Sequence, residues 1–362
     1  MLNRRSLLLA GGACAFAPLA ARADQIVVHS ASHQLYRHAM VLDCNVAPPF
    51  PIDAAGMAAI KDSGITACKA TIGGFNNDYD ATLAEIDLYD QQIAAHPDML
   101  MQIRNASDFA EAKRRDKLGV IYSFEGVEML RGSVHAIDFF AKRGVRVMQL
   151  SYNLPSPFGA GVLVNPPTGL TDLGRAAIVQ MNSNGVAVDL SHAGPLTTSD
   201  AMAASTKPVI MSHGGCAAVQ VHPRNKTDAQ LRALAEKGGV LGIYDLPYLT
   251  VTRHPTLDDY IAHMTHALSV MGEDHVGVRS DAVFQGFDAS PENMAAYAES
   301  NAQRRAAGVA APGEEWPPFV IGLNSERRCE VIADALLRRG YSMRATEKVL
   351  GQNFIRVFSE IW

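Results

Sequence analysis

The chain has 362 residues, of which 48% are hydrophobic and 19% charged, and its formal net charge is −5 at pH 7. This composition predicts a globular protein with a large core, and the scattered charges exclude a basic surface for nucleic acid. Beyond the N-terminus no run reaches the roughly 18 apolar residues of a membrane-spanning helix. A small-molecule partner is therefore expected, and the sequence leaves open whether the chain is a monomer or a homodimer.

The first 23 residues have the features of an export signal rather than of a folded segment. Arg4 and Arg5 precede the apolar stretch that begins with Leu7-Leu8-Leu9, and Ala21-Arg22-Ala23 matches an A-x-A cleavage site. The arginine pair resembles a twin-arginine signal, with an ordinary secretory signal as the alternative. We expect cleavage after Ala23 and a periplasmic or secreted product in which residues 24–362 form a single domain.

The cysteines beyond this segment are widely spaced, and none forms a C-x-x-C pair. Their spacing fits no zinc-finger pattern, and so few cysteines do not make a disulfide scaffold. We expect buried free thiols at Cys44, Cys68, Cys216 and Cys329.

Eight short runs rich in valine, isoleucine and other apolar residues follow one another, and helical periodicity separates most of them. The helical stretches include Tyr79–His96, Thr171–Ser183 and Leu257–Met271. Eight strands alternating with helices predict an α/β fold, a (β/α)8 TIM-type barrel. A doubly wound open sheet is disfavoured because no G-x-G-x-x-G motif follows the first strand. The predicted strands are Ala39–Asp43, Thr66–Thr71, Leu118–Phe124, Val145–Leu150, Val186–Leu190, Pro208–Ser212, Val240–Tyr244 and His275–Ser280.

Polar residues stand where these strands end, which is the face that carries the active site in such barrels. Glu125 follows the third strand, His192 the fifth, His213 the sixth and Asp281 the eighth. Imidazole and carboxylate groups together suit zinc or a similar divalent ion. A single buried histidine is more often structural, but four such residues at one face predict a metal site.

The remaining histidines lie in predicted helices and loops or at the far face of the barrel, and we interpret them as structural. His222 differs because it lies in Val221-His222-Pro223-Arg224-Asn225, close in sequence to the predicted site, where we expect it to assist rather than to bind metal. The histidines interpreted as structural are His29, His33, His38, His96, His135, His254, His263, His266 and His275.

Motifs at these strand ends, together with the C-terminal segment, resemble the membrane (renal) dipeptidases of peptidase family M19. The resemblance runs roughly from Leu35 to Phe358. It implies a metal-dependent hydrolase-like barrel that binds two zinc ions bridged by a carboxylate and cleaves dipeptides with little side-chain preference. The motifs are Asp189-Leu190-Ser191-His192, Ser212-His213 with His222-Pro223-Arg224-Asn225, Gly277-Val278-Arg279-Ser280-Asp281, and in the tail Leu337–Ser342 with Gly351–Phe358.

The resemblance implies a role for each matching position. Glu125 matches the bridging glutamate, and His192 and His213 match the two ligands of the second zinc ion. Arg224 matches an arginine that holds the substrate, and Asp281 matches an aspartate that transfers protons.

The chain departs from the family pattern at the first zinc ion. The family's Asp-Gly-His-Asn-Asp-x-Pro is here Asp43-Cys44-Asn45-Val46-Ala47-Pro48-Pro49, so Asn45 replaces a histidine ligand and Ala47 an aspartate ligand. An alanine cannot bind zinc, and an asparagine amide is a weak ligand. The family's substrate-binding histidine is Tyr152 here. We expect one zinc ion rather than two, and we expect Asn45→His with Ala47→Asp to restore the second.

The remaining ligands suffice for one zinc ion with an open fourth position, which is a recognised catalytic arrangement. In this hypothesis Asp281 is the general base, and Tyr152 donates a hydrogen bond to the developing oxyanion. Tyr152, Asn153 and Arg224 contact the substrate, Arg224 through a carboxylate. The sequence therefore predicts a zinc-dependent hydrolase of a dipeptide or related small amide. The alternative is a binding protein or a non-hydrolytic enzyme, such as a tautomerase of a peptide-derived metabolite, that has lost the two-zinc centre.

Overall fold

Eight parallel strands form a barrel in the computed structural model, which describes residues 28–48, 50–74 and 78–362. The predicted export signal, residues 1–23, lies outside the described residues. Each strand pairs in parallel with the next one along the chain. Most strands are shorter than predicted, whereas β6 extends further, but all eight are present. They are β1 Leu42–Asp43, β2 Ala67–Thr71, β3 Leu118–Phe124, β4 Val145–Gln149, β5 Ala187–Asp189, β6 Ile210–Cys216, β7 Val240–Ile243 and β8 Val276–Val278.

The barrel closes between β8 and β1. The backbone amide of Cys44 donates to the carbonyl of Val278 at 3.4 Å. Beyond the two strands, Ala282–Val283 pairs in parallel with Val46–Ala47. The loops that follow β1 and β8 are therefore neighbours at the C-terminal face of the barrel.

Helices surround the strands, and capping side chains fix where several of them begin. Asp53 accepts a hydrogen bond from the amide of Gly56 at the start of α2, and Thr227 and Gln230 form a capping box at the start of α8. The bounds are α1 Ser30–His38, α2 Ala54–Ser63, α3 Tyr79–Ala95, α4 Ser107–Arg114, α5 His135–Lys142, α6 Asp172–Ser183, α7 Pro195–Ala204, α8 Asp228–Glu236, α9 Leu257–Met271, α10 Pro291–Ala306, α11 Arg328–Arg338, α12 Met343–Glu347 and α13 Asn353–Ile361.

The C-terminal helix α13 packs against the apolar interior of the barrel. Its residues Phe354 and Phe358 belong to the same buried cluster as Ile121, Ile210 and Cys44. Cys44 is thus part of the apolar interior, and burial raises the pKa of its thiol. The four cysteines are buried and free, as expected.

A long connection between β8 and α11, residues 284–327, lies over the C-terminal face of the barrel and contains α10. Its carbonyl groups at Val309 and Pro312 accept hydrogen bonds from Asn153 and His222 at that face. We call this connection the cover segment. The sequence did not predict it, nor the short strand Leu100–Gln102 that pairs with β3. Within the described ranges, no helix is both long and apolar enough to cross a membrane.

Candidate metal centre

Three side chains from one side of the barrel meet at its C-terminal face. Glu125 directly follows β3, His192 follows β5, and His213 lies within β6. One possible ligand atom from each lies within 4.8 Å of the others, and this is the candidate metal-binding group among the residues that the structure describes. The fold therefore brings together the three side chains that the sequence predicts as ligands.

His192 is oriented by the asparagine that follows β4. Its Nδ1 lies 2.7 Å from Oδ1 of Asn153, whose Nδ2 donates to the carbonyl of Val309 at 2.8 Å. Because an amide oxygen only accepts, His192 carries its proton on Nδ1 and presents the lone pair of Nε2. Burial holds the pKa of His192 well below its ordinary value. We predicted that Asn153 contacts substrate, but both the oxygen and the nitrogen of its side-chain amide form hydrogen bonds with other residues of the protein.

His213 is oriented by a chain of two hydrogen bonds. Oγ of Ser212 donates to Oδ2 of Asp189 at 2.5 Å, so the Ser212 oxygen accepts from Nδ1 of His213 at 2.8 Å. Nε2 of His213 is buried and has no hydrogen-bond partner in the described part of the chain. Burial and nearby guanidinium groups hold the pKa of His213 well below its ordinary value. A neutral imidazole with an unpartnered nitrogen beside two other donors fits a divalent cation.

Glu125 stays ionised although it is largely enclosed. Burial by itself raises the pKa of this carboxyl, but Lys69, Arg279 and Arg224 outweigh burial and hold the pKa below its ordinary value. Nζ of Lys69 lies 3.8 Å from Oε1 of Glu125, and Nη2 of Arg279 lies 3.7 Å from the same oxygen. A carboxylate that is ionised at neutral pH completes the ligand set.

Asn45 and Ala47, which replace family ligands, lie beside this carboxylate. Nδ2 of Asn45 donates to Oε1 of Glu125 at 2.9 Å and to Oδ1 of Asp281 at 3.0 Å, while its Oδ1 accepts from Thr71 at 2.9 Å. The amide nitrogen thus stands between two carboxylates, and an amide nitrogen is not a metal ligand. Ala47 lines the same cavity without a polar group. These residues do not fit a second divalent ion.

Asp281, the predicted general base, follows β8 with a left-handed φ of 55°. Its Oδ1 lies 2.5 Å from Nη2 of Arg279. Burial raises the pKa of Asp281 and outweighs the opposite effect of Arg279. The carboxyl group is therefore easier to protonate than an ordinary aspartate, which suits a group that accepts a proton and passes it on.

Tyr152 lies over one of the ligands. Its ring stacks on His192 with centroids 4.1 Å apart, and its hydroxyl lies 3.3 Å from Nη2 of Arg304 in α10. Nε of Arg304 in turn donates to Oε2 of Glu314 at 2.8 Å. Burial raises the pKa of Tyr152, so the phenol keeps its proton at neutral pH. The cover segment therefore reaches the ligand His192 through this tyrosine.

Arg224 presents a buried positive charge near the centre. The residue is 3% exposed, and Nε and Nη2 lack hydrogen-bond partners among the residues described. His222 positions this arginine, because its Nδ1 accepts from the Arg224 amide at 3.2 Å and its Nε2 donates to the Pro312 carbonyl at 2.8 Å. Buried unpaired donors of a charged group are costly, which suggests that an anionic ligand completes them.

A cavity of about 320 Å³ opens beside Glu125, one of the three candidate ligands. Its polar lining includes Glu125 and Asp281, and its size corresponds to the smallest ligand pockets. Five apolar or small residues form the rest of the wall. These residues are Ala47, Ala282, Val283, Phe287 and Pro318.

Sequence reasoning missed two charged residues of this site, Lys69 and Arg279. Each lies in a run that we predicted as a strand of the barrel, and each is fully or almost fully buried. A lysine or arginine inside such a run is itself a signal, because these residues are rarely buried without a partner. The signal does not say which partner, so it could not place either charge next to Glu125.

Comparisons with known proteins relate the chain to one family of hydrolases. The family described as membrane dipeptidase (peptidase family M19) matches residues 54–301. The dipeptidase tcpJ of Claviceps purpurea is 28% identical over 285 residues, which cover 77% of this chain and 60% of that protein. The chain therefore matches less than two thirds of the length of this relative.

Two solved structures have the same fold as this chain. An amidohydrolase from Pseudomonas aeruginosa superposes with a TM-score of 0.82 and 25% identity, covering 91% of this chain and 99% of that one. A metallopeptidase from Rhodobacter sphaeroides, solved with a phosphinate mimic of the dipeptide L-Ala-D-Ala, superposes with a TM-score of 0.72 and 18% identity, covering 90% and 99%. These likenesses confirm the predicted (β/α)8 barrel.

Proposed function

The chain belongs to the membrane dipeptidase family, peptidase family M19, and on this premise we propose that it is a metal-dependent hydrolase of a dipeptide or related small amide. The observation that carries the proposal is the group of Glu125, His192 and His213, whose ligand atoms lie within 4.8 Å of one another. Two neutral imidazoles and one ionised carboxylate make a donor set that suits zinc with an open fourth position.

The proposed chemistry needs one ion on these three ligands. Glu125, His192 and His213 would hold this ion, and a zinc ion bound there would supply a Lewis acid for the amide carbonyl and lower the pKa of water. Asp281 accepts a proton from the attacking water and passes it to the leaving amine, because burial raises its pKa and makes the carboxyl group easier to protonate than an ordinary aspartate. Arg224 binds the carboxylate of the substrate through donors that are otherwise unpaired.

Tyr152 and Asn153 have separate roles in this proposal. Tyr152 keeps its phenol proton and donates to the oxyanion that develops on the substrate. Asn153, whose amide contacts His192 and the Val309 carbonyl, acts by holding the ligand His192 in one tautomer, although we expected it to contact substrate directly.

The alternative is a binding protein or a non-hydrolytic enzyme, such as a tautomerase. Its sequence argument was the loss of the ligands at Asn45 and Ala47. It gains no support from the proteins reported above, whose names are dipeptidase, amidohydrolase and metallopeptidase. Hydrolysis is therefore the function that we propose.

We predict that the purified protein binds one zinc ion per chain and hydrolyses unblocked dipeptides. One ion is expected because Asn45 and Ala47 do not complete a second ligand set. Elemental analysis after dialysis gives the ion count, and a panel of dipeptides followed by release of free amino acids gives the activity. Zinc without hydrolysis of any dipeptide or small amide would favour the alternative, and two tightly held ions would contradict the stoichiometry.

We propose separately that residues 1–23 direct export through a twin-arginine route, on the sequence argument given above. We predict that changing Arg4 and Arg5 together to lysine leaves uncleaved precursor in the cytoplasm, because that route depends on the arginine pair. Cell fractionation with mass measurement of the product checks this. Arg22→Lys is the matched control and leaves export unchanged. Equal periplasmic yield from the Arg4, Arg5 variant would show that the pair is incidental.

A further inference from the structure

Two buried cations lie beside Glu125, the residue that matches the family's bridging glutamate. Lys69 is 0% exposed and Arg279 is 1% exposed. Nζ of Lys69 and Nη2 of Arg279 lie 3.8 and 3.7 Å from Oε1 of Glu125. The same oxygen accepts from Nδ2 of Asn45 at 2.9 Å. One oxygen of the carboxylate that bridges two ions in the family is thus surrounded by nitrogen atoms.

Hydrogen bonds to Ser123 and Asn45 hold the ammonium group of Lys69 in place. Ser123 donates its hydroxyl proton to the carbonyl of Ala70 at 2.9 Å, so its oxygen accepts from Nζ of Lys69 at 3.0 Å. Nζ also lies 3.4 Å from Oδ1 of Asn45. Lys69 lies two residues after Ala67 on β2 and therefore on the same face of the strand, and Ala67 is an interior residue of the barrel, so Lys69 also points into the barrel. The charge is built into the interior and does not come from a mobile surface residue.

Arg279 pairs its positive charge with the second carboxylate of the site, Asp281. Its Nη2 lies 2.5 Å from Oδ1 of Asp281, which also accepts from Asn45. Lys69 and Arg279 together carry two positive charges, and Glu125 and Asp281 carry two negative charges when ionised. A divalent ion at this position would bring the same two positive charges.

We propose that Lys69 and Arg279 take the place of the family's first metal ion, the one whose ligands Asn45 and Ala47 replace, by neutralising Glu125 and Asp281 and excluding a divalent cation by repulsion. The inference rests on the proposed metal centre and adds a reason for its single ion. Both cations lie within 4 Å of Oε1 of Glu125, the oxygen that also accepts from Asn45, so they repel a further divalent ion at this oxygen in a medium that screens charge poorly. Restoring the family ligands is then insufficient, contrary to the expectation from the sequence.

The test compares zinc content per chain in variants that differ in ligands and in cations. Asn45→His with Ala47→Asp is expected to bind as many zinc ions as the wild type. Adding Lys69→Met and Arg279→Met to this pair is expected to add one ion per chain. Methionine keeps most of the side-chain volume without the charge, and the measurement is elemental analysis of dialysed protein with circular dichroism as the check of folding.

A matched control replaces a different buried lysine in the same two-ligand background. Lys226 is 2% exposed, and its Nζ contacts the carbonyls of Leu190 and Ala193, so Lys226→Met is expected to add no ion. If the four-fold variant does not fold, the test uses Lys69→Met by itself in the background of Asn45→His and Ala47→Asp, which is likewise expected to add one ion. A gain of one ion on restoring the ligands alone overturns the inference, as does a folded cation-free variant with no gain. Because gains are counted from the wild type, the result does not depend on whether dipeptides are hydrolysed.

Discussion

Replacing His213 with alanine is expected to remove bound zinc and to lower dipeptide hydrolysis by about a thousandfold or more. Nε2 of His213 has no protein partner within the described residues, so its place in the site is explained by a cation. Lewis-acid stabilisation by a metal is worth several kcal/mol, and about 1.4 kcal/mol corresponds to a tenfold change in rate. Zinc content and initial rates measured on the same preparation check both parts.

The control for this variant is another fully buried histidine. His263 on α9 contacts the amide of Cys216 and the carbonyl of Leu249, away from the three ligands. His263→Gln keeps hydrogen-bonding groups and is expected to retain zinc and activity. A His213→Ala protein that is folded, holds one zinc ion and hydrolyses dipeptides within tenfold of the wild type would rule out the proposed centre.

A second variant, Ser212→Ala, separates the effect of losing the ligand His213 from the effect of losing its orientation. Oγ of Ser212 accepts a hydrogen bond from Nδ1 of His213 and donates one to Asp189. Ser212→Ala keeps the ligand but removes this support, so zinc affinity is expected to fall by roughly 10- to 100-fold. An effect as large as that of His213→Ala would mean that the serine is needed for folding and not only for orientation.

Strand order and the three ligands could be predicted from the sequence because they depend on local patterns. Apolar runs of strand length alternate with helical periodicity, and the parallel barrel then fixes which ends of the strands meet. Glu125, His192 and His213 stand at those ends, so their convergence follows from the fold class. No knowledge of individual side-chain contacts is needed for that step.

The charges around the ligands could not be predicted, because they depend on contacts between distant segments. Lys69 lies near Glu125 although the two residues are 56 positions apart in the sequence, and Arg279 lies near it although they are 154 positions apart. The same reason applies to the cover segment, whose Val309 carbonyl fixes Asn153 through a contact between residues 156 apart. A single sequence identifies the polar residues, but only the folded chain shows which of them neutralise one another.

Asp245 illustrates the same limit within the barrel. It follows β7, is 2% exposed, and accepts a hydrogen bond from the amide of Val320 in the cover segment at 2.8 Å. Burial raises its pKa to about 7 despite the nearby Arg328. Nothing in the sequence around Asp245 distinguishes it from an ordinary strand-end aspartate. Its environment is made by the cover segment and α11, which no local pattern connects to β7.

Replacing Arg224 with methionine is expected to lower kcat/KM for dipeptides by roughly 100- to 10,000-fold while making the free protein more stable. Both effects have one cause, because Nε and Nη2 of Arg224 are buried without hydrogen-bond partners in the part of the chain described. Two hydrogen bonds to a substrate carboxylate, at about 1.5 to 3 kcal/mol each for charged groups, account for the loss of activity. Without substrate the unpaired donors cost free energy, and an apolar side chain of similar length removes that cost.

The chemical control for this last prediction is a dipeptide whose C-terminal carboxylate is converted to an amide. Wild-type protein is expected to hydrolyse the amidated dipeptide slowly, because the guanidinium of Arg224 has no carboxylate to bind. Arg224→Met is expected to hydrolyse it at about the same rate as the wild type, for the same reason. Thermal unfolding without substrate gives the second half of the prediction, with the midpoint higher in the variant. A variant that loses activity equally on both substrates would show that Arg224 acts on the fold or on the metal ligands. A loss confined to the carboxylate substrate, together with the higher midpoint, identifies a residue whose charge is kept at the expense of stability because the substrate needs it.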